Sequence, residues 1–178
     1  KVRLEAFTDA GESSTVFSAN LATSDLSHSK HTSGFVISMG SGALSWKTKH
    51  QPRVSSSICQ AEYTAAELCL QEVNFIRDLL ADVGFPQPRT PMFIDNQASI
   101  KLMLKNSSIK KHDRTTLHVL QEAVNHKKII PIYIPSDQNI ADMFTKANAA
   151  KNKEHDKQLM SRITGDALSA TKYRDHII

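Results

Sequence analysis

A mixed α/β sheet with helices packed on it is the architecture this chain predicts, and three features predict it. A strand pattern near the N-terminus is followed by a hairpin pattern. One long helix with 3.6-residue apolar periodicity comes next. Strand and helix patterns then alternate to about residue 146. A hairpin gives antiparallel pairs and strand–helix–strand crossovers give parallel ones, so the sheet should contain both.

The elements follow in order. Residues 2–8 alternate Val2, Leu4 and Ala6 against Arg3 and Glu5, a strand that ends at Asp9. Residues 11–30 are rich in Ser, Thr and Asn and read as a long surface loop, with room for a short strand near residues 15–19. Residues 32–39 place Phe35, Ile37 and Met39 on one face, and Gly40-Ser41-Gly42 supplies a turn. Residues 43–49 return as the second hairpin arm, with Leu44 and Trp46 on one face and Trp46 expected in the core. Ser57-Ile58-Cys59-Gln60 has the form of a capping box. It opens a helix whose stripe is Tyr63, Ala66, Leu70, Val73, Arg77 and Leu80, with Arg77 its polar break. Gly84 and Pro86 end that helix. Residues 91–95 form a short apolar strand, and Asn96 caps a helix to about residue 105 with Ile100, Met103 and Leu104 inward. Another helix runs over about residues 113–127 with Leu117, Leu120 and Val124 aligned. Residues 129–134 form a strand containing Pro131. A proline donates nothing to a ladder, so this strand belongs at an edge. Asp137 is expected to cap a short helix carrying Asp142 and Phe144.

The chain has 178 residues, 40% of them apolar and 22% charged, with a net charge of +4. That suits one packed domain over residues 1–146 and a polar, Lys-rich tail over residues 147–178, partly helical or disordered. The positive balance permits a polyanionic partner without requiring one. Cys59 and Cys69 lie ten residues apart in one helix, so their Cα atoms stand about 15 Å apart. A disulfide needs less than about 7 Å, so the two cannot bridge, and a reducing intracellular setting is expected. No apolar run reaches the roughly 18 residues of a membrane span, and Lys1-Val2-Arg3-Leu4 does not open a signal peptide. The chain reads as a piece of a longer polypeptide.

Four acids punctuate these elements: Asp9 after the first strand, Glu62 early in the long helix, Asp95 after the apolar strand and Asp142 near the end. Each alone is an ordinary turn, cap or helix-start residue. Gathered at one point they would repel strongly, and divalent cations are the simplest way to cancel that charge. Hard oxygen ligands select Mg²⁺, with Mn²⁺ an alternative. Two such ions clamp the attacking and leaving oxygens of a phosphodiester during in-line displacement.

The residues also carry a family likeness. Thr32-Ser33-Gly34-Phe35 and Gly42-Ala43-Leu44-Ser45-Trp46-Lys47-Thr48-Lys49-His50-Gln51-Pro52 closely resemble the ribonuclease H domain of copia-type LTR retrotransposon polyproteins. So do Ala61-Glu62-Tyr63, Asp95-Asn96-Gln97-Ala98-Ser99-Ile100, Lys111-His112, Tyr133-Ile134-Pro135 and Ile140-Ala141-Asp142-Met143-Phe144-Thr145-Lys146. The ordered set spans about residues 4–146 and is far more specific than any one piece. It implies a ribonuclease H-like α/β fold with a five-stranded mixed sheet and an edge fifth strand. It places Asp9, Glu62, Asp95 and Asp142 in the four catalytic, metal-binding positions. The implied activity is endonucleolytic hydrolysis of the RNA strand of RNA–DNA hybrids by two-metal-ion catalysis during reverse transcription. The implied partners are the hybrid and a reverse transcriptase domain of the same polyprotein, with no membrane. The implied location is cytoplasmic, within virus-like particles. The chain departs from the family after Asp9, where Ala10-Gly11-Glu12 stands in place of a further acid and tryptophan, and it has no His between Pro135 and Asp142.

Substrate contacts are softer expectations. Lys47, Lys49 and Arg53 follow the hairpin, and Lys101 and Lys105 follow Asp95, where either group could meet phosphates. Lysines on exposed faces more often serve solvation. Asn96 and Gln97 sit beside the site and could read 2′-hydroxyls, with capping the ordinary role for Asn96. His112 and His118 read as surface or structural residues. The competing reading is a catalytically silent domain of the same fold that binds or scaffolds; a transposase-like nuclease with the same core is a third.

Overall fold

Apolar residues on both faces make β1 and its neighbours the interior of the structure. A computed structural model describes residues 2–12, 30–40, 42–105, 114–146, 160–161 and 163–164. The chain order is β1 (Leu4–Glu12), β2 (His31–Met39), β3 (Gly42–His50), α1 (Ile58–Asp82), β4 (Thr90–Ile94), α2 (Gln97–Leu104), α3 (Arg114–Asn125) and β5 (Ile129–Tyr133). Two short 3₁₀ turns, Ser136–Gln138 and Ile140–Phe144, follow β5. The five strands lie in the order β3-β2-β1-β4-β5. β1, β2 and β3 pair antiparallel, while β1–β4 and β4–β5 pair parallel. The sheet is therefore mixed, open and five-stranded, as expected, and β5 is an edge. Ile134 N–H donates to Ile94 O at 3.1 Å, so alternate residues of β5 turn their N–H groups to β4 and the Pro131 nitrogen faces the open edge, where no ladder bond is lost.

Two apolar layers sandwich the sheet. Leu4, Ala6, Phe35, Ile37, Met92 and Ile94 face α1, α2 and α3, meeting Leu70, Val73, Met103, Leu117 and Leu120. Phe7, Val36, Phe93 and Ile134 face the other way and pack with Ile140 and Ala141, with Ile163 against them. Phe7 and Phe93 stack with ring centroids 4.7 Å apart.

β1 is longer at its far end than its alternation implied. It continues through Asp9 to Glu12 because β2 pairs with it over that whole stretch, from Leu4↔Met39 to Glu12↔His31. Asp9 thus lies within a strand, not after one. The expected short strand near residues 15–19 lies outside the described residues.

Ser57 caps α1 as expected: its hydroxyl accepts from the Gln60 N–H at 3.1 Å. The return bond is displaced by one residue, since Gln60 Oε1 accepts from Ser56 N–H. Gly84, at φ +84°, ends the helix, with Phe85 N–H on Leu80 O at 2.7 Å. Neither cysteine forms a disulfide among the described residues; Cys69 is buried and Cys59 partly so.

Three expectations fail. Trp46 is 58% exposed, not core: it pairs opposite Val36 on the edge strand, where no further strand covers it. Leu104 is exposed because it is the last residue of α2, next to the C-cap Lys105, off the face that buries Ile100 and Met103. Asn139, not Asp137, caps the last turn, its side-chain oxygen accepting from Ala141 N–H at 3.2 Å.

Arg77, the polar break in the α1 stripe, has a structural use. Its guanidinium donates to Thr90 Oγ1 at 2.9 Å, Gln87 O at 3.0 Å and Pro88 O. It ties the end of α1 to the entry of β4, satisfying carbonyls that no ladder reaches. Arg77→Met should cost about 1–3 kcal/mol of unfolding free energy, read in urea titration as a lower midpoint at an unchanged m-value.

Candidate active site

Parallel pairing places the first two carboxylates. Ala6↔Met92 and Phe7↔Phe93 are in register, and Asp9 and Asp95 each lie two residues further along. They therefore stand side by side just beyond the parallel β1–β4 ladder, at the carboxyl end of β4 and within β1, the usual ligand position of an open α/β sheet. Glu62 arrives from the second turn of α1. Its height there is set by Gln51, which is buried between the sheet and the helix. Gln51 Nε2 donates to Ser33 Oγ and to Ala61 O, both at 2.9 Å, and Gln51 Oε1 accepts from Ser55 Oγ at 2.7 Å.

One carboxylate oxygen each from Asp9, Glu62 and Asp95 lies within 4.8 Å of the others. Asp9 and Glu62 are each 3% exposed, and Asp95 opens to solvent. Ser136 Oγ donates to Asp95 Oδ2 at 2.6 Å, and Thr145 Oγ1 donates to Asp9 Oδ2. Glu62 Oε2 is fully buried and has no hydrogen-bond partner among the described residues.

Asp142 stands beside this trio. Its charge is felt by both Asp9 and Glu62, but it is not among the three oxygens that converge. Its Oδ1 is paired with Lys146 Nζ. The segment that carries it is pinned from several sides. Asn139 Nδ2 donates to Thr8 O at 2.9 Å, and Thr48 Oγ1 donates to Phe144 O at 2.9 Å. It also lies directly on the glycines of β1 and β2. A Cβ on Gly34 would sit 2.7 Å from Thr145 Cγ2 and 2.9 Å from Phe144 Cβ, and one on Gly11 would sit 2.7 Å from Thr145 O.

The electrostatics follow from this crowding. Burial, then the charges of Asp9 and Asp95, push the Glu62 carboxyl up to about 9, against a partial offset from the Ala10 backbone hydrogen bond. Burial raises Asp9 to about 6; the Thr145 hydrogen bond opposes it, while Asp95 and Asp142 add to it. Burial pulls the Lys146 ammonium down, but its bond to Asp142 and the fields of Asp142, Asp9 and Asp95 together leave it above its ordinary value. Burial and neighbouring charge that favour the protonated form of Glu62 and Asp9 are what a divalent cation would relieve. Three carboxylates that each bring an oxygen within 4.8 Å of the others, one of them with a buried oxygen unpartnered among the described residues, are a donor set of the right chemistry for such an ion.

The expected nucleic-acid contacts divide. Lys47 and Lys49 are exposed on edge strand β3, opposite Phe35 and Ser33, and so project on the α1 side of the sheet. Arg53 follows them, lining a groove of about 340 Å³ with Ser55, Gln60, Thr64 and Thr116. None of the clustered carboxylates lines that groove. Lys101, Lys105 and Gln97 are exposed on or beside α2. Asn96 is engaged in capping: its Oδ1 accepts from Ser99 N–H at 2.9 Å. His118 is exposed on α3, and His112 lies outside the described residues. Sequence reasoning missed Thr145, Asn139, Ser136 and Lys146 as supports of the acids. The one available signal was the i, i+4 spacing of Asp142 and Lys146.

The chain is 30% identical over 139 residues to the retrovirus-related Pol polyprotein from transposon TNT 1-94 of Nicotiana tabacum, a match covering 76% of this chain and 10% of that one. It is 25% identical over 118 residues to the corresponding polyprotein from transposon RE1 of Arabidopsis thaliana, covering 65% of this chain and 8% of that one. Among solved structures, LC11-RNase H1, isolated from compost by a metagenomic approach, superposes with a TM-score of 0.57 at 18% identity, covering 88% and 98% of the two chains. The same protein in complex with an RNA/DNA hybrid gives 0.53 at 19% identity, covering 88% and 99%. The N-terminal RNase H domain of a Mycobacterium tuberculosis protein gives 0.53 at 18% identity, covering 82% and 91%. The chain is a ribonuclease H-fold homologue of part of transposon Pol polyproteins. It spans about a tenth or less of the length of the curated relatives it matches. No family model matches it. Among the described residues, no helix is long and apolar enough to cross a membrane.

Two outcomes follow for this ribonuclease H fold. An acid whose folded pKa lies above its ordinary value makes the folded state hold protons that the unfolded chain releases. Cation-free stability should therefore fall as pH rises from 4.5 toward about 9 through Glu62, and from 3.8 toward about 6 through Asp9. Glu62→Gln should flatten that slope and raise the melting midpoint near pH 8, by about 2–4 °C per kcal/mol recovered, as melts in chelator would measure. Gly34→Ala should cost about 1–3 kcal/mol by forcing the last turn off the sheet, read from the thermal midpoint.

Proposed function

We propose that this chain is a metal-dependent ribonuclease H that cuts the RNA strand of RNA–DNA hybrids within a retrotransposon polyprotein. The observation that carries this reading is the convergence of Asp9, Glu62 and Asp95, with Glu62 Oε2 buried and unpartnered among the described residues. A silent scaffold has no use for burying Glu62 and Asp9 beside Asp95, where burial first and neighbouring charge second raise the pKa values of Glu62 and Asp9. Homology to transposon Pol polyproteins and the likeness to LC11-RNase H1, solved with an RNA/DNA hybrid, support the same reading.

Asp9, Glu62 and Asp95 would hold one divalent cation, and Asp142 with Asp9 would contribute to a second. Mg²⁺ is the expected ion and Mn²⁺ the alternative. Such ions, when bound, supply an activated water and stabilise the leaving 3′ oxygen. The chain's own groups do the rest. Thr145 and Ser136 fix the orientation of the Asp9 and Asp95 carboxylates, leaving one oxygen of each free to coordinate. Gln51 sets the reach of Glu62 from α1. Lys47, Lys49 and Arg53 form a basic track that leads past α1, suited to the phosphates of the duplex. Lys101 and Lys105 on α2 offer a second positive face, and Gln97 stands near Asp95 for a 2′-hydroxyl.

In the same reading residues 1–146 form the catalytic domain and residues 147–178 a tail beyond it. The partner in the polyprotein is a reverse transcriptase domain, and the site of action is the cytoplasmic particle in which reverse transcription occurs.

The test is cleavage of a hybrid labelled on each strand in turn, with and without Mg²⁺. Cutting of the RNA strand alone, dependent on Mg²⁺ and reduced at least about 10³-fold in Asp95→Asn, is expected. Binding of the hybrid with no cutting at any cation concentration would favour the scaffold.

A further inference from the structure

The ion pair that closes the last turn distinguishes Asp142 from the other three acids, and the inference drawn from it rests on the cation-site reading above. Lys146 Nζ pairs with Asp142 Oδ1, and the two side chains are 59% and 17% exposed. The Lys146 N–H bonds to Asp142 O at 3.2 Å, closing a turn that brings both side chains to the same side. Thr145, between them, donates to Asp9. One turn of chain therefore delivers a hydroxyl to one carboxylate and an ammonium to another. Glu62 Oε2 and Asp142 Oδ1 are both buried without a hydrogen bond that meets full geometry among the described residues, but only Asp142 Oδ1 has an ion pair. The three converging oxygens exclude Asp142, and Asp142 is the acid that holds a cation of this chain's own.

We propose that Lys146 is a positioning residue that acts as resident counter-ion of Asp142, holding that carboxylate at the margin of the cluster and competing with a divalent cation for it. An ion taken by Asp9, Glu62 and Asp95 meets no such competitor. An ion that draws on Asp142 must first displace the ammonium, which its flexible four-carbon stem and partly exposed position permit. The protein therefore has two unequal cation sites, and Lys146 sets part of the difference. In the cation-free state the same ammonium limits repulsion between Asp142 and Asp9.

Mn²⁺ titration followed by electron paramagnetic resonance tests this without reference to catalysis. The wild-type protein should show a tighter and a weaker class of site. Lys146→Met and Lys146→Gln should tighten the weaker class roughly fivefold, as expected for a half-exposed pair, and leave the tighter class within about twofold. Lys146→Arg should behave as wild type, and Asp142→Asn should lose the weaker class. A weaker class that is unchanged or loosened in both neutral variants, with native circular dichroism, overturns the role of Lys146 while leaving the cation site intact. No Mn²⁺ binding by the wild-type protein, or binding indifferent to Asp9→Asn, overturns the cation reading and this inference together.

Discussion

Repulsion among buried carboxylates is the constraint around which this structure is arranged. Asp9 and Glu62 are 3% exposed and lie with Asp95 in a cluster whose ligand oxygens fall within 4.8 Å of one another. Nothing in the formation of an α/β sheet requires that. The parallel register of β1 and β4 brings Asp9 and Asp95 together, and α1 must then cross the sheet at the height that adds Glu62. Gln51 fixes that height through hydrogen bonds to a strand side chain, a loop side chain and a helix carbonyl. The fold buries Glu62 and Asp9 and sets like charges beside them, and burial first and those charges second raise the pKa values of both.

The second constraint is steric. The turn bearing Asp142 reaches the cluster only because β1 and β2 offer Gly11 and Gly34 where it crosses them. At Gly34 the approach admits no side chain, so the sheet itself forms the floor on which Thr145 reaches Asp9. The layer opposite the helices, built on Phe7, Val36, Phe93 and Ile134, exists to seat this turn. The site is thus assembled from both faces: Glu62 comes from the α1 side, while Thr145 and Asp142 come from the other.

Much of this was legible in the sequence, for reasons that differ by element. The α1 boundaries were readable because Ser57 and Gly84 have single physical roles there, an acceptor for orphan N–H groups and a residue at positive φ. The edge position of β5 was readable from Pro131, since a missing donor tolerates only an edge. The far end of β1 was not, because Ala10, Gly11 and Glu12 have no strand pattern and are held extended by their partners in β2. Trp46 misled for the opposite reason. Its alternation is right for a strand, but alternation says which face a side chain takes and not whether anything covers that face.

The candidate site divides in the same way. Its acids announced themselves by type and by position relative to strands and helices. Their supports did not, since Thr145, Ser136 and Asn139 are residue types found at any turn and acquire meaning only through contacts made far away in sequence. The Asn139 side chain reaches a carbonyl of β1, and Thr145 reaches Asp9, across more than a hundred residues of chain. Lys146 lies between these cases. Its spacing from Asp142 is a local, readable feature, yet an i, i+4 pair on a surface turn ordinarily contributes little. What changes its weight is the field of Asp9 and Asp95 around the same ammonium. A routine pair placed at the margin of a carboxylate cluster becomes a determinant of how that cluster is charged.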